Sequence, residues 1–204
     1  MISIIRSQVL SIFLIIFMLL FGNLSVSAQS ATSTTSISKG WNLLGNGTTT
    51  AISLANTFND PNNVTSIWKW DSATSAWAYY SPSSDSGVSY AKSQGYETLT
   101  TIQPGEGYWV NAASSFSINL AASSNYSYTN FKTGGANALP SGWSLISIGD
   151  GLTASQFNAS LGSTSSSSTS IPLNTNSIWA WDNVNSKWYY YSPSYCLLSF
   201  LYWF

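Results

Sequence analysis

Ser66-Ile67-Trp68-Lys69-Trp70-Asp71, the turn Ser72-Ala73-Thr74-Ser75, and Ala76-Trp77-Ala78-Tyr79-Tyr80 together decide the reading of this chain. Two apolar runs rich in aromatics flank a short polar stretch, which is the pattern of a β-hairpin with Asp71 capping its turn. Side chains alternate along a strand, so Trp68 and Trp70 share one face, and Trp77 and Tyr79 share a face of the partner strand. The stretch occurs twice. Ser177-Ile178-Trp179-Ala180-Trp181-Asp182 and Trp188 with Tyr190-Tyr191-Ser192-Pro193 repeat it at an offset of 111 positions. Upstream, Gly40-Trp41-Asn42-Leu43-Leu44 returns as Gly142-Trp143-Ser144-Leu145-Ile146 at an offset of 102. The nine extra positions fall at the Ser/Thr loop 163–170.

The reading is therefore an α+β, β-dominated fold made of two tandem copies of a small sheet module with short helices, the second copy incomplete. Trp41 to Leu44 is a short strand. Ala51, Leu54, Ala55 and Phe58 have helical spacing, as do Ala154, Phe157 and Leu161 between a Thr153 cap and a Gly162 stop. Ser86 to Gln94 reads as a helix ending at Gly95, and Pro104-Gly105 as a turn feeding a strand from Tyr108 to Asn111. That last strand is expected to complete the sheet begun by Trp41 to Leu44. After Pro193 nothing matches the later part of copy one. The expected organisation is a signal peptide over 1–28, a linker over 29–36 and module one over 37–120. A second linker over 121–138, a truncated module two over 139–194 and an aberrant tail over 195–204 follow.

G-W-N-L-L, W-K-W-D with a following Trp, and Pro104-Gly105-Glu106-Gly107-Tyr108-Trp109-Val110-Asn111 resemble a recurrent module of secreted bacterial proteins. That module carries G-W-N-L, W-x-W/Y-D and G-x-G-Y/F-W-V motifs and is often present as twin copies in exported proteins of unassigned role. The resemblance covers most of Lys39 to Leu120 and the first half of copy two. It supplies no catalytic residue. Copy two departs from it by lacking the helix and the G-x-G-Y/F-W-V strand.

The N-terminus points the same way. Arg6, the apolar run Val9 to Phe21 and the small residues Val26-Ser27-Ala28 make a cleavable export signal, with a mature chain starting at Gln29. The apolar run is shorter than a membrane span requires, so no stable span is expected once the signal is cleaved. The expected location is secreted, periplasmic or extracellular. The tail Tyr195 to Phe204 is apolar, uncharged and carries the chain's one Cys. It reads as an out-of-register product of a frameshift or truncation after Pro193, or as a replacement strand filling a vacant sheet edge.

Composition narrows function. Among 204 residues only 6% are charged, against a usual share of about 25%, while aromatics reach 15% and Trp alone counts 10. Six cations cannot neutralise a phosphate backbone, so no nucleic-acid partner is expected. One Cys and no His leave no thiolate–imidazole metal site and no His-activated nucleophile; neither metal nor cofactor is expected. Asp60-Pro61-Asn62-Asn63 reads as an Asx turn rather than a Ca²⁺ loop. The carboxylates Glu97 and Glu106 are the one pair that could run glycoside hydrolysis, but Glu106 sits in a Gly-flanked turn where a polar residue belongs anyway. The chain is read as no enzyme.

Binding candidates are Trp68, Trp70, Trp77 and Tyr80, with their counterparts Trp179, Trp181, Trp188 and Tyr191. The Trp-rich hairpin face is read first as module core, since each indole supplies 150–250 Å² of burial, and second as a sugar-stacking platform. The opposite face carries Lys69 or Ala180, which suits solvent, and puts Tyr80 and Tyr191 where they can touch a partner. The function expected is a secreted, non-enzymatic cell-surface or matrix protein that binds or packs against glycans or other surface proteins. A carbohydrate-binding module is the alternative and a hydrolase using Glu97 and Glu106 the rival.

Overall fold

The structure, a computed structural model, describes residues 32–83, 85–121, 123–162, 174–182 and 184–194. The expected signal peptide, the 163–170 loop and the 195–204 tail lie outside the described residues. What is described is dominated by strands in several small sheets, with few short helices.

In chain order the elements are β1 (Thr32–Ile37), β2 (Gly40–Gly45), β3 (Ile52–Ser53), α1 (Leu54–Thr57), β4 (Val64–Asp71), β5 (Ala76–Tyr80), α2 (Val88–Gln94) and β6 (Glu97–Thr98). They continue with β7 (Thr101–Ile102), β8 (Gly107–Ala112), β9 (Phe116–Ala121), a 3₁₀ turn (Tyr128–Phe131), α3 (Ala154–Leu161), β10 (Ile178–Asp182) and β11 (Lys187–Tyr191). The main sheet runs β2-β8-β4-β5-β6, and β1-β9, β3-β7 and β10-β11 form separate pairs.

β8 sits between β2 and β4 and is antiparallel to both, with Leu44 opposite Tyr108 and Ile67 opposite Val110. The Tyr108 to Asn111 strand thus joins the sheet of Trp41 to Leu44. Its inward side chains, Tyr108, Val110 and Ala112, are buried with Ile67, Ala78 and Tyr80 against Leu54 and Phe58. Tyr108 meets Phe58 edge-on at 6.1 Å, and burial in this apolar slab pushes its phenol well above the usual range.

Four expectations need correction. Residues 32–36, read as linker, belong to β1, which pairs with β9 from Thr32–Ala121 to Ile37–Phe116. The Thr-rich stretch looks like a linker by composition, but β-branched Thr suits a strand, and Ile37 and Ile118 are buried across the pair. The helix expected from Ala51 to Phe58 shrinks to α1, because Ile52 pairs with Ile102 in β3-β7 and is buried there. The linker 121–138 holds Tyr126 and Phe131, which make a second core with Phe157 and Leu161. Finally, Trp143 to Ile146 is not a strand. β2 is held as a strand by its hydrogen bonds to β8, and among the described residues no strand pairs with Trp143–Ile146. The segment lies instead on the 104–107 turn, where Gly107 N donates to Leu145 O at 3.0 Å and Ser147 N to Gly105 O at 2.8 Å.

Local signals were accurate where the chain supplies its own partners. α3 carries a capping box between Thr153 and Gln156 and stops at Gly162. α2 ends at Gly95, whose φ of 73° is left-handed. Before α2, the Asp85 carboxylate accepts from Gly87 N and Ser89 N, each at 2.9 Å. Its hydrogen bonds, those with Ser89 first, hold the carboxyl well below the usual carboxylate range. A depressed folded value means this contribution is present above the unfolded pKa of about 3.9 and fades as pH falls through the folded value. Amide hydrogen exchange at Gly87 and Ser89 should therefore accelerate below about pH 3.9 relative to neutral pH, after correction for intrinsic rates, while β8 stays protected. Unchanged protection at Ser89 in acid would contradict the cap.

Candidate functional site

The two hairpins, β4-β5 and β10-β11, share one register. Ile67–Tyr80, Trp68–Tyr79 and Trp70–Trp77 are matched by Ile178–Tyr191, Trp179–Tyr190 and Trp181–Trp188. Asp71 Oδ1 accepts from Ala73 N at 2.8 Å and Asp182 Oδ1 from Val184 N at 2.9 Å. Ser75 and Ser186 take φ of 53° and 51° to close the turns. Trp68 Nε1 donates to Ser66 Oγ and Trp179 Nε1 to Ser177 Oγ, both at 3.0 Å. Trp68 and Trp77 stand edge-on at 6.4 Å, and Trp179 and Trp188 at 6.2 Å.

The indoles lie on the face opposite the core, which reverses the first expectation for them. A small domain buries a limited share of its surface, and the face of Ile67, Ala78, Tyr80 and Val110 is the one buried with Leu54 and Phe58. Tyr80, expected to be exposed, is therefore 3% exposed, and its hydroxyl donates to Phe58 O at 3.3 Å. Lys69, expected in solvent, is half-buried with its Nζ 2.8 Å from Glu106 Oε1. Tyr191 is half-buried, and its hydroxyl is buried without a hydrogen-bond partner among the described residues.

On the outer face Trp41 (β2), Trp109 (β8), Trp68 (β4) and Trp77 (β5) meet Trp181 (β10) and Trp188 (β11). These six line a solvent-open cleft of about 430 Å³ with no charged side chain. Trp109 is its hub, with ring centroids 6.2 Å from Trp41, 6.3 Å from Trp181 and 5.9 Å from Trp188. Of the sequence candidates, Trp68, Trp77, Trp181 and Trp188 come together here. Trp70 packs edge-on against Trp77 at 5.4 Å without lining the cleft, and its Nε1 donates to Trp143 O at 2.9 Å. Trp179 stays outside the cleft and packs on Tyr190 at 4.6 Å. Trp41 and Trp109 were missed. The pairing of β8 with β4 that sets Trp109 opposite Trp68 leaves no signal in either strand's local sequence.

The site offers ring faces and edges, and no acid, base or nucleophile. Glu106 has both carboxylate oxygens engaged, one by Lys69 and the other by Gln103 N at 2.7 Å. Glu97 is exposed on β6, at the sheet edge. Asp60 makes an Asx turn, accepting from Asn62 N at 2.9 Å. No helix among the described residues is long and apolar enough to cross a membrane. No protein-family model matches the chain, and no similar curated protein or solved structure was found.

Proposed function

We propose that this chain is an exported, non-enzymatic binding protein of the cell surface or extracellular matrix, and that its tryptophan cleft receives a glycan. In this reading the chain comprises two copies of one module, delivered by the signal segment 1–28. The observation that carries the proposal is the convergence of six indoles from six strands on one open, uncharged cleft. Its volume lies within the usual range for ligand pockets. A pyranose presents flat C–H faces that pack on indole rings while its hydroxyls stay in water, so the cleft's lack of polar lining is compatible with a sugar. An exposed apolar surface kept on a secreted chain is otherwise a liability. The engagement of Glu106 by Lys69 and Gln103 supports the non-enzymatic reading.

Titration with soluble neutral oligosaccharides, such as cellohexaose and chitohexaose, tests it by intrinsic fluorescence. Six of the chain's ten indoles face the cleft, so saturation should shift the emission strongly. Trp109→Ala should weaken binding at least about tenfold, or about 1.4 kcal/mol. Unchanged emission with every neutral glycan tested would overturn the glycan assignment.

A further inference from the structure

The strand register of the main sheet puts three aromatic side chains in one row. Trp109 of β8 is opposite Trp68 of β4, and Trp68 is opposite Tyr79 of β5. The row therefore crosses three adjacent strands, on the outer face, with one ring on each. Trp109 and Trp68 line the tryptophan cleft and Tyr79 lies beyond it. The ring centroids of Trp68 and Tyr79 are 4.8 Å apart. Past Tyr79 the surface stays aromatic, with Tyr96 5.0 Å from Trp68 and Tyr90 4.8 Å from Tyr79. Tyr90 is 48% exposed. Two indoles flank the row. Trp77 is in register with Trp70 and Trp41 with Asn111, which sets them one side-chain step to either side.

We infer that the glycan received by the cleft is a single, extended, β-1,4-linked chain of neutral pyranoses, laid across the strands along Trp109, Trp68 and Tyr79. The inference rests on the glycan reading given above, and adds to it a linkage, a direction and a subsite at Tyr79 and Tyr90.

The pitch of the row selects the linkage. Neighbouring strands stand about 4.8 Å apart, which is close to the advance of an extended β-1,4-linked chain per sugar. One ring can then serve one sugar along the row. An α-1,4-linked chain coils and curves away from such a row. In a β-1,4-linked chain of the gluco configuration the ring substituents are equatorial, so both faces of each sugar are C–H surfaces. Those faces suit a lining of six indoles, while the equatorial hydroxyls stay in the water of the open cleft.

The tilt of the rings selects a free chain over a crystalline surface. Trp68 and Tyr79 are inclined by 66°, and Trp41 and Trp109 by 84°. Rings inclined this steeply touch a chain from more than one side, and they cannot lie flat together on a planar array of chains. The change from indole to phenol along the row adds hydroxyls at Tyr79 and Tyr90, which can exchange hydrogen bonds with sugar hydroxyls.

Calorimetric titration of the chain with cellohexaose, chitohexaose, their trisaccharides and maltohexaose tests the linkage and the length. At least one β-1,4-linked hexasaccharide should bind at least about tenfold more tightly than its own trisaccharide and than maltohexaose. Tyr79→Ala and Tyr90→Ala should each weaken that hexasaccharide at least about threefold, the scale of one aromatic contact. Tyr90 is a surface position, so its variant stays informative if Tyr79→Ala disturbs the far-ultraviolet spectrum. Tyr190→Ala, at a residue 50% exposed but off the row, should leave the affinity unchanged. Equal binding of maltohexaose would overturn the linkage while leaving the glycan reading in place. Full affinity in Tyr90→Ala, or an equal loss in Tyr190→Ala, would overturn the direction in the same way. Tighter retention on crystalline than on amorphous cellulose would overturn the free chain. No response to any of these sugars would overturn the glycan reading itself, and this inference with it.

Discussion

Replacing Tyr108 by Ala is expected to lower stability by about 3–5 kcal/mol, the usual range for truncating a buried aromatic. The side chain is 1% exposed, lies against Phe58 and stands on the strand that ties β2 to β4. Its loss removes apolar contact and leaves a cavity in the one place where three strands and α1 meet. The informative control is its neighbour. Trp109 is larger but half-buried on the outer face, so Trp109→Ala should cost less, about 1–2 kcal/mol from partial burial. Urea denaturation followed by far-ultraviolet circular dichroism measures both. If Trp109→Ala proved the more destabilising, the assignment of core and outer faces would be inverted.

Gly105→Ala carries the second large effect, about 3 kcal/mol when backbone strain and overpacking are combined. Gly105 has a φ of 84°, where any Cβ is penalised, and that Cβ would collide with the ring of Tyr126 and stand 2.9 Å from Phe131. Gly95→Ala separates the two causes. Its φ is 73°, yet nothing lies within 4 Å of its would-be Cβ. That substitution should cost only the conformational part, about 1 kcal/mol. Equal losses for the two variants in thermal or urea melts would mean that Tyr126 and Phe131 do not pack on the 104–107 turn, and that 121–138 acts as a linker after all.

Much of the local architecture was legible because its causes are local. The Asp71 and Asp182 turns, the Thr153–Gln156 capping box and the Gly95 stop each depend on a few adjacent residues, and composition and spacing report those directly. Pairing Trp41–Leu44 with Tyr108–Asn111 was also within reach, since both are short apolar strands bracketing the module. Which hairpin face is core was not legible. Both faces of β4-β5 carry enough apolar surface to be buried, and the choice falls to whatever α1 and β8 can cover. That choice buried Tyr80, drew Lys69 to Glu106 and left the indoles outside.

The sequence alone determined the hairpins, their turns, the helix ends and the lack of charge, because each follows from side-chain alternation, capping chemistry or a count of residues. The tertiary structure alone decided that Thr32–Ile37 is a strand, that Trp143–Ile146 is not, and that Trp41 and Trp109 join four hairpin indoles in one cleft. In each case the deciding partner lies far along the chain. A strand exists only where another backbone is present to take its hydrogen bonds, and an aromatic face becomes a site only where packing has used up the other face.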